Sequence, residues 1–438
     1  MRNMKPLSRR VLLASAAGAA CVGTLPFIGI GTPVSSAPAA TPRLRRGGSI
    51  HTMMNWADVE PNNAQRYAWP PFGASHFNIS PELLRAFRQS GLDHIRLTVD
   101  PGPFLQADPA QLRQVNQILL QRCKQILAED LQVVVDFHPT QQVERFAPER
   151  IVANESSALF KAYVAVLASV ADAMRELDPS RVALEVMNEP PYGYDGFTAA
   201  RWRRMLGAMH SAIRQANPAL PLVLSGAAGG GITGLLSLEP ASFNDPNLFW
   251  TFHYYDPHVF THQGVVTSQS NMLYFRYLSG LAWPAERTNV QAVAALIAAK
   301  IDVDPNPPIA DRELLKKQAI EAAEQYDKSR FSEERIKTDF GKVEAWAREN
   351  NVTPERIYLG EFGIMRETAD QPGAKAYDRE AWMRSIRISA ERRGFGWALW
   401  DINDTQMGLV ERRNALPLHD GTLNALGLTV RPRPQTTP

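Results

Sequence analysis

Val182-Ala183-Leu184-Glu185-Val186-Met187-Asn188-Glu189-Pro190-Pro191 is the stretch on which the fold turns. An apolar run ends there in Asn188 and Glu189, and two prolines close it. That is the profile of a buried strand meeting its loop. Ile357-Tyr358-Leu359-Gly360-Glu361-Phe362-Gly363 has the same form, with Glu361 at its end. Working outward, strands are predicted over 48–51, 94–99, 132–137, 182–187, 221–225, 248–252, 357–360 and 395–400. Helical patterns fill most of the intervals. Ser80 and Asp108 each precede a proline and cap helices running to about 89 and 129. Further helices are predicted over about 156–177, 198–216, 332–350 and 378–392. Strands alternating with helices give an α/β fold. No G-x-G-x-x-G follows the first strand, which favours a single (β/α)8 TIM barrel over an open Rossmann sheet.

About a hundred residues separate the sixth strand from the seventh. The segment 261–330 holds Tyr274, Phe275, Tyr277 and Trp283, then Pro305-Asn306-Pro307-Pro308, then a charged helix. In a barrel this is a long insertion after strand six, on the face that carries the strand ends. It is either a lid or cleft wall, or a structural decoration.

The chain is 45% apolar and 21% charged, which is enough to bury a large core. Its net charge of +2 comes without a basic stripe, so nucleic-acid binding has no support. Residues 1–40 read as an address. Ser8-Arg9-Arg10-Val11-Leu12-Leu13 precedes an Ala/Gly-rich apolar run, followed by Ser35-Ser36-Ala37-Pro38-Ala39-Ala40. That is the pattern of a cleaved signal peptide of the twin-arginine (Tat) type, and the expected location is periplasmic or secreted. No stable membrane association is expected after cleavage. Cys21 lies in the signal, so Cys123 alone remains and no intrachain disulfide can form. Cys123 sits in an apolar helical pattern and reads as core. Residues 41–430 form the predicted catalytic domain, and 431–438 a Pro-rich disordered tail.

Glu189 and Glu361 sit at strand ends three strands apart, on the face where barrel enzymes hold their sites. Cleaving a glycosidic bond takes one carboxyl to protonate the leaving oxygen and another to attack the sugar or activate water. A lone strand-end Glu means little, whereas this ordered pair is specific. The supporting motifs are Arg96 in His94-Ile95-Arg96-Leu97, His138 in Val135-Asp136-Phe137-His138, Asn188-Glu189-Pro190, His253-Tyr254-Tyr255, Gly360-Glu361-Phe362-Gly363, and Trp400 in Trp397-Ala398-Leu399-Trp400. Through these motifs the chain resembles glycoside hydrolase family 5, the cellulase family of retaining (β/α)8 glycosidases. The likeness runs from Arg46 to about Trp400, excluding the insertion.

The resemblance implies that Glu189 is the acid/base and Glu361 the nucleophile. It implies that Arg96 and Tyr255 hold Glu361, and that Asn188 binds a sugar 2-hydroxyl. His138 and His253 would line the site, and Trp400 would form the floor under the reacting sugar. Read without the family, Arg96 could pair with Glu185, and both histidines could be core. The opening strand departs from the family's pattern by lacking its usual asparagine. His51, Asn55 and Trp56 are instead expected at outer sugar subsites. The implied reaction is double displacement on a β-glycan with no metal and no cofactor. An endo-β-1,4-glucanase is expected. Exo-β-1,3-glucanase, β-mannanase and β-glucosidase-like activities share the same core residues. A non-catalytic carbohydrate-binding periplasmic protein is the alternative of another class.

Overall fold

The computed structural model describes residues 41–429, apart from 192–195, 268 and 370. The predicted signal peptide and C-terminal tail lie outside the described residues. Eight parallel strands close into a barrel: Arg46–Met54 (β1), His94–Val99 (β2), Gln132–Phe137 (β3), Val182–Glu185 (β4), Leu222–Ser225 (β5), Leu248–His253 (β6), Ile357–Phe362 (β7) and Gly396–Leu399 (β8). The circle closes by β1 pairing with both β2 and β8. All eight predicted strands are present, so the (β/α)8 expectation holds.

Side-chain alternation explains the layering. On β3, Val133, Val135 and Phe137 pack outward into the main core, while Val134 belongs to a separate inner cluster. That inner cluster joins Leu44, Val134, Ala183, Val223, Phe249, Tyr358 and Ala398 near the strands' N-terminal ends. It plugs the barrel with apolar volume. His94 bonds the Tyr358 hydroxyl at the level of this plug, and the other inward polar side chains of the second, third and fourth strands collect above it, toward the strands' C-terminal ends. Two residues further along β3 and β4 come Asp136 and Glu185, both fully buried.

The outer helices follow their caps. Ser80 accepts the Leu83 N–H at the start of Pro81–Ser90, and Asp108 with Gln111 forms a capping box on Pro109–Ala128. Cys123 is fully buried on that second helix, as expected of a core thiol.

The insertion is more ordered than the sequence reading gave it. Besides the charged helix, at Ile309–Ser329, it contains a helix at Val290–Val303 that the reading missed. That sequence is apolar almost all round, so no amphipathic stripe announces it. Val293, Ile297 and Ile301 still define its buried face at a spacing of four. Two small hairpins were also unforeseen, Val59–Glu60 with Asn63–Tyr67 and Val410–Arg412 with Ala415–Leu418. Among the described residues no helix is long and apolar enough to cross a membrane.

Candidate active site

Arg96 is the hub. It enters from β2, is fully buried, and meets a polar partner on every side. Its Nε and Nη2 donate to the two oxygens of Glu185 at 2.7 and 2.9 Å. Nη1 donates to Glu361 Oε1 at 2.6 Å. Nη2 also donates to Asn188 Oδ1 at 2.9 Å and lies 3.0 Å from Asp136 Oδ2. The two readings of Arg96 are thus both realised, since one guanidinium serves Glu185 and Glu361 together. Three carboxylates around one cation cannot all be fully compensated in a dry site. Burial accordingly pushes Asp136 up to about 7, against the pull of Arg96. It also raises Glu185, again with Arg96 opposing.

Glu361 reaches this hub because β7 breaks its alternation. Tyr358 points inward, Leu359 outward and Gly360 inward, so Glu361 would next face the helices. The register shifts on both sides, between Phe252 and His253 on β6 and between Trp397 and Leu399 on β8. The resulting bulge turns Glu361 into the barrel and leaves Phe362 facing Trp382 and Trp397 outside. Gly360 is what lets the bulge pack. A Cβ there would lie 2.5 Å from Thr251 Oγ1 and 3.0 Å from His253 Nε2. The second Glu361 oxygen accepts from the Tyr255 hydroxyl at 2.9 Å.

Glu189 faces it from the loop after β4. Its φ of +39° is left-handed, a conformation that costs a non-glycine residue about 1–3 kcal/mol and clusters at functional sites. One oxygen of Glu189 and one of Glu361 lie within 4.8 Å of each other. His253 Nδ1 sits between the pair, 2.9 Å from Glu189 Oε1 and 3.6 Å from Glu361 Oε2. Burial lowers the pKa of His253, whose Nδ1 faces Glu189. The Glu189 carboxyl opens onto the cleft but is surrounded mostly by protein. This desolvation pushes it up to about 7 despite Arg96. Glu189, His253 and Glu361 are also the cluster among the described residues that could offer three ligand atoms to a metal ion.

The cleft above the pair has a volume of about 820 Å³. Trp400 lines it, with the His138 ring stacked at 5.3 Å and 13°. His138 Nδ1 lies 2.8 Å from Asp136, and its Nε2 lies 3.3 Å from Asn188 Nδ2. Burial holds His138 down to about 3, so it is neutral with Nδ1 protonated. His51 packs edge-on against Trp400 at 4.8 Å. Its Nε2 accepts the indole N–H of Trp56 at 2.7 Å, and its Nδ1 lies 3.0 Å from Thr98 Oγ1. Because an indole nitrogen only donates, His51 must be neutral. Trp56 itself is half exposed and has a φ of +53°. Asn55 also lines the cleft. It is buried, donates to the His138 carbonyl and accepts from the Trp56 N–H.

The structure thus brings the eleven predicted site residues together: nine line one cleft, and Arg96 and His253 lie behind it, bonded to Glu361 and Glu189. Other lining residues were missed. Asp136 stood inside a quoted motif without a role, and its partners come from strands far apart in sequence. Asp401 follows Trp400, lines the cleft, and is raised to about 7 by burial. His258, His262 and Val265 line the opposite wall. These three come from the chain entering the insertion, which favours the cleft-wall reading over decoration.

The profile described as cellulase (glycosyl hydrolase family 5) matches residues 55–406. The chain belongs to glycosyl hydrolase family 5. It is a glycoside hydrolase of the cellulase family on a TIM barrel. Endoglucanase C of Acetivibrio thermocellus is 22% identical over 338 residues, covering 75% of this chain and 86% of that protein. Endoglucanase 3 of Fibrobacter succinogenes is 32% identical, but over only 115 residues. Among solved structures, Cel5A of Thermotoga maritima in complex with cellobiose aligns with a TM-score of 0.60 at 19% identity. It covers 88% of this chain and 97% of that one. The clostridial cellulose synthase subunit Z of Clostridioides difficile aligns at 0.59 with 22% identity, covering 87% and 99%. Family 5 membership also accounts for the order of the six motifs along the strands.

Proposed function

We propose that this family 5 protein is a retaining hydrolase of β-1,4-linked glucan that cuts within the chain. The observation that carries the reading is the spacing of the carboxylates. Retaining pairs stand about 5–5.5 Å apart and inverting pairs about 6.5–9.5 Å, because inversion must admit a water between them. One oxygen of Glu189 and one of Glu361 approach within 4.8 Å, which fits the shorter, retaining spacing.

In the first step Glu361 attacks the anomeric carbon, and the glycosidic C–O bond breaks. Glu189 gives its proton to the departing oxygen. In the second step Glu189, now ionised, takes a proton from water, whose oxygen attacks the anomeric carbon and releases Glu361. A raised pKa suits Glu189 to the first task. Arg96 and Tyr255 donate to opposite oxygens of Glu361 and fix its carboxyl group in place. Asn188 supplies an amide for the sugar 2-hydroxyl. Trp400 offers a flat apolar face to the reacting sugar, and Trp56 another further out, steadied by His51.

The endo-β-1,4-glucanase assignment draws support from the two curated relatives, both named endoglucanases. A β-mannanase is the second reading, because the Thermotoga maritima relative has been crystallised with mannotriose as well as cellobiose. Export through the twin-arginine route to the periplasm or beyond fits a polymeric substrate.

The test is a product screen on carboxymethylcellulose, mixed-linkage glucan, laminarin and mannan, with Glu361→Gln alongside. Proton NMR of the first-formed products reads the anomer. Soluble oligosaccharides of β configuration from a β-1,4-glucan support the proposal. First-formed α-anomers would overturn retention. Equal behaviour of the wild type and Glu361→Gln would return the protein to the non-catalytic class.

A further inference from the structure

Two buried polar atoms beside the catalytic pair, Thr251 Oγ1 and His253 Nε2, have no hydrogen-bond partner among the described residues. Both side chains come from β6, two residues apart, so alternation turns both into the barrel. Phe249, two residues earlier, belongs to the apolar plug. Thr251 therefore occupies the layer between the plug and the site, and it is fully buried. Buried polar groups in folded proteins are almost always bonded, so two orphans on one strand need a reason.

The reason lies at Gly360. A Cβ on that glycine would lie 2.5 Å from Thr251 Oγ1 and 3.0 Å from His253 Nε2. The two atoms thus close on one point, and the bare face of the bulge residue on β7 leaves room for them to meet. A hydroxyl can donate, and a ring nitrogen without a proton can only accept. The two supply each other's missing bond when the ring carries its proton on Nδ1.

The surroundings of Nδ1 favour that state. Nδ1 lies 2.9 Å from Glu189 Oε1 and 3.6 Å from Glu361 Oε2. A proton on Nδ1 has an acceptor on either side. A proton on Nε2 would instead set a bare Nδ1 lone pair against those oxygens. In a neutral imidazole the bond made by one nitrogen sets the state of the other.

The tautomer decides what Glu189 can do. With Nδ1 donating, Glu189 Oε1 accepts, and the acid proton is carried by the other oxygen, Oε2. With Nδ1 bare, that proton would lie on Oε1, in a hydrogen bond to the ring that holds it away from the substrate.

We infer that Thr251 is a positioning residue of the reaction. Its hydroxyl donates to His253 Nε2, holds the ring proton on Nδ1, and so keeps the acid proton of Glu189 on Oε2, where the departing oxygen can take it. The inference rests on the hydrolase reading above and concerns its first, acid-assisted step.

The test uses Thr251→Val, which keeps the shape and removes the hydroxyl, and Thr251→Ser, which keeps the hydroxyl. Cellotetraose is compared with 2,4-dinitrophenyl β-cellobioside, whose leaving group needs no proton and whose turnover also reports that each variant is folded. We expect Thr251→Val to lower kcat and kcat/KM for cellotetraose together by about tenfold, the worth of one hydrogen bond, with KM unchanged. On the aryl substrate kcat/KM should stay within about twofold, and Thr251→Ser should recover most of the loss. Nitrogen-15 NMR of histidine-labelled protein, with His253 assigned by its absence in His253→Gln, should show Nδ1 protonated in the wild type. In Thr251→Val it should show a mixture of the two tautomers. Equal losses on both substrates would reduce Thr251 to packing and overturn the inference. So would no loss on either substrate, or a wild-type ring protonated on Nε2. Inactivity of the wild type on both substrates would overturn the hydrolase reading and this inference with it.

Discussion

Arg96 and Tyr255 hold opposite oxygens of one carboxylate. Arg96 Nη1 lies 2.6 Å from Glu361 Oε1, and the Tyr255 hydroxyl lies 2.9 Å from Oε2. The two grips differ in consequence. Tyr255→Phe removes one hydrogen bond to a charged group, about 1.5–3 kcal/mol, and should lower kcat/KM about 10- to 150-fold with the fold intact. Arg96→Met strands Asp136, Glu185 and Glu361 without a cation. Breaking a buried pair this way costs about 3–5 kcal/mol, so thermal unfolding should shift downward as well as activity vanish. A Tyr255→Phe protein as destabilised as Arg96→Met would contradict this division.

The pH profile should carry the signature of Glu189. Its pKa is raised to about 7, so the acid form needed for the first step is present below that pH and lost above it. The alkaline limb of kcat/KM should therefore fall near pH 7. In Glu189→Gln, hydrolysis of unactivated oligosaccharides should collapse. Aryl glycosides with good leaving groups need no proton, and their formation of the glycosyl-enzyme should persist without an alkaline limb. An unchanged limb in that variant would assign it to another group.

Gly360→Ala tests the bulge. The new methyl would press on Thr251 Oγ1 and His253 Nε2, and both belong to buried side chains. Overpacking of this kind costs about 1–3 kcal/mol in stability. The larger effect should be on activity, because a displacement of about 1 Å in the nucleophile lowers the rate about 100-fold. Adding Thr251→Ala should restore part of the activity by clearing the closer contact.

His51 and Trp56 should behave as one unit. The only indole donor of Trp56 is spent on His51 at 2.7 Å. Alanine at either position should weaken turnover of long oligosaccharides more than of short ones. In a double-mutant cycle the two losses should fall short of additive by about 0.5 kcal/mol or more. Strict additivity would show that His51 does not steady Trp56.

Cys123 should be inert. The thiol is fully buried and pushed up to about 12. A thiol reagent should modify the chain lacking residues 1–40 only after denaturant is added, and reductant should leave the melting temperature unchanged. Labelling in native buffer would refute the burial.

Most of the barrel was legible in the sequence because strands buried on both faces leave continuous apolar runs. Runs such as Val133-Val134-Val135 need no partner to be recognised. The strand boundaries moved by a few residues at most, and Glu189 and Glu361 were found by their place at strand ends. The helix Val290–Val303 was not found, since an Ala-rich segment without an amphipathic stripe gives no period to detect. Asp136 was not singled out, because one acidic residue in a strand looks alike whether it faces a guanidinium or a structural partner.

What the sequence determined by itself was the set of strands, their order and the placing of Glu189 and Glu361 at strand ends, all of which follow from local patterns of apolar and polar residues. What only the tertiary structure decided was direction and state. Simple alternation sends Glu361 out of the barrel, and a bulge that depends on the register of β6 and β8 turns it in. The raised pKa of Glu189 and the lowered ones of His51, His138 and His253 arise from burial and from partners on other strands. The start of the long insertion became part of the cleft wall because folding set His262 and Val265 in its lining. Registers, desolvation and cross-strand pairings belong to the folded chain, and no window of the sequence contains them.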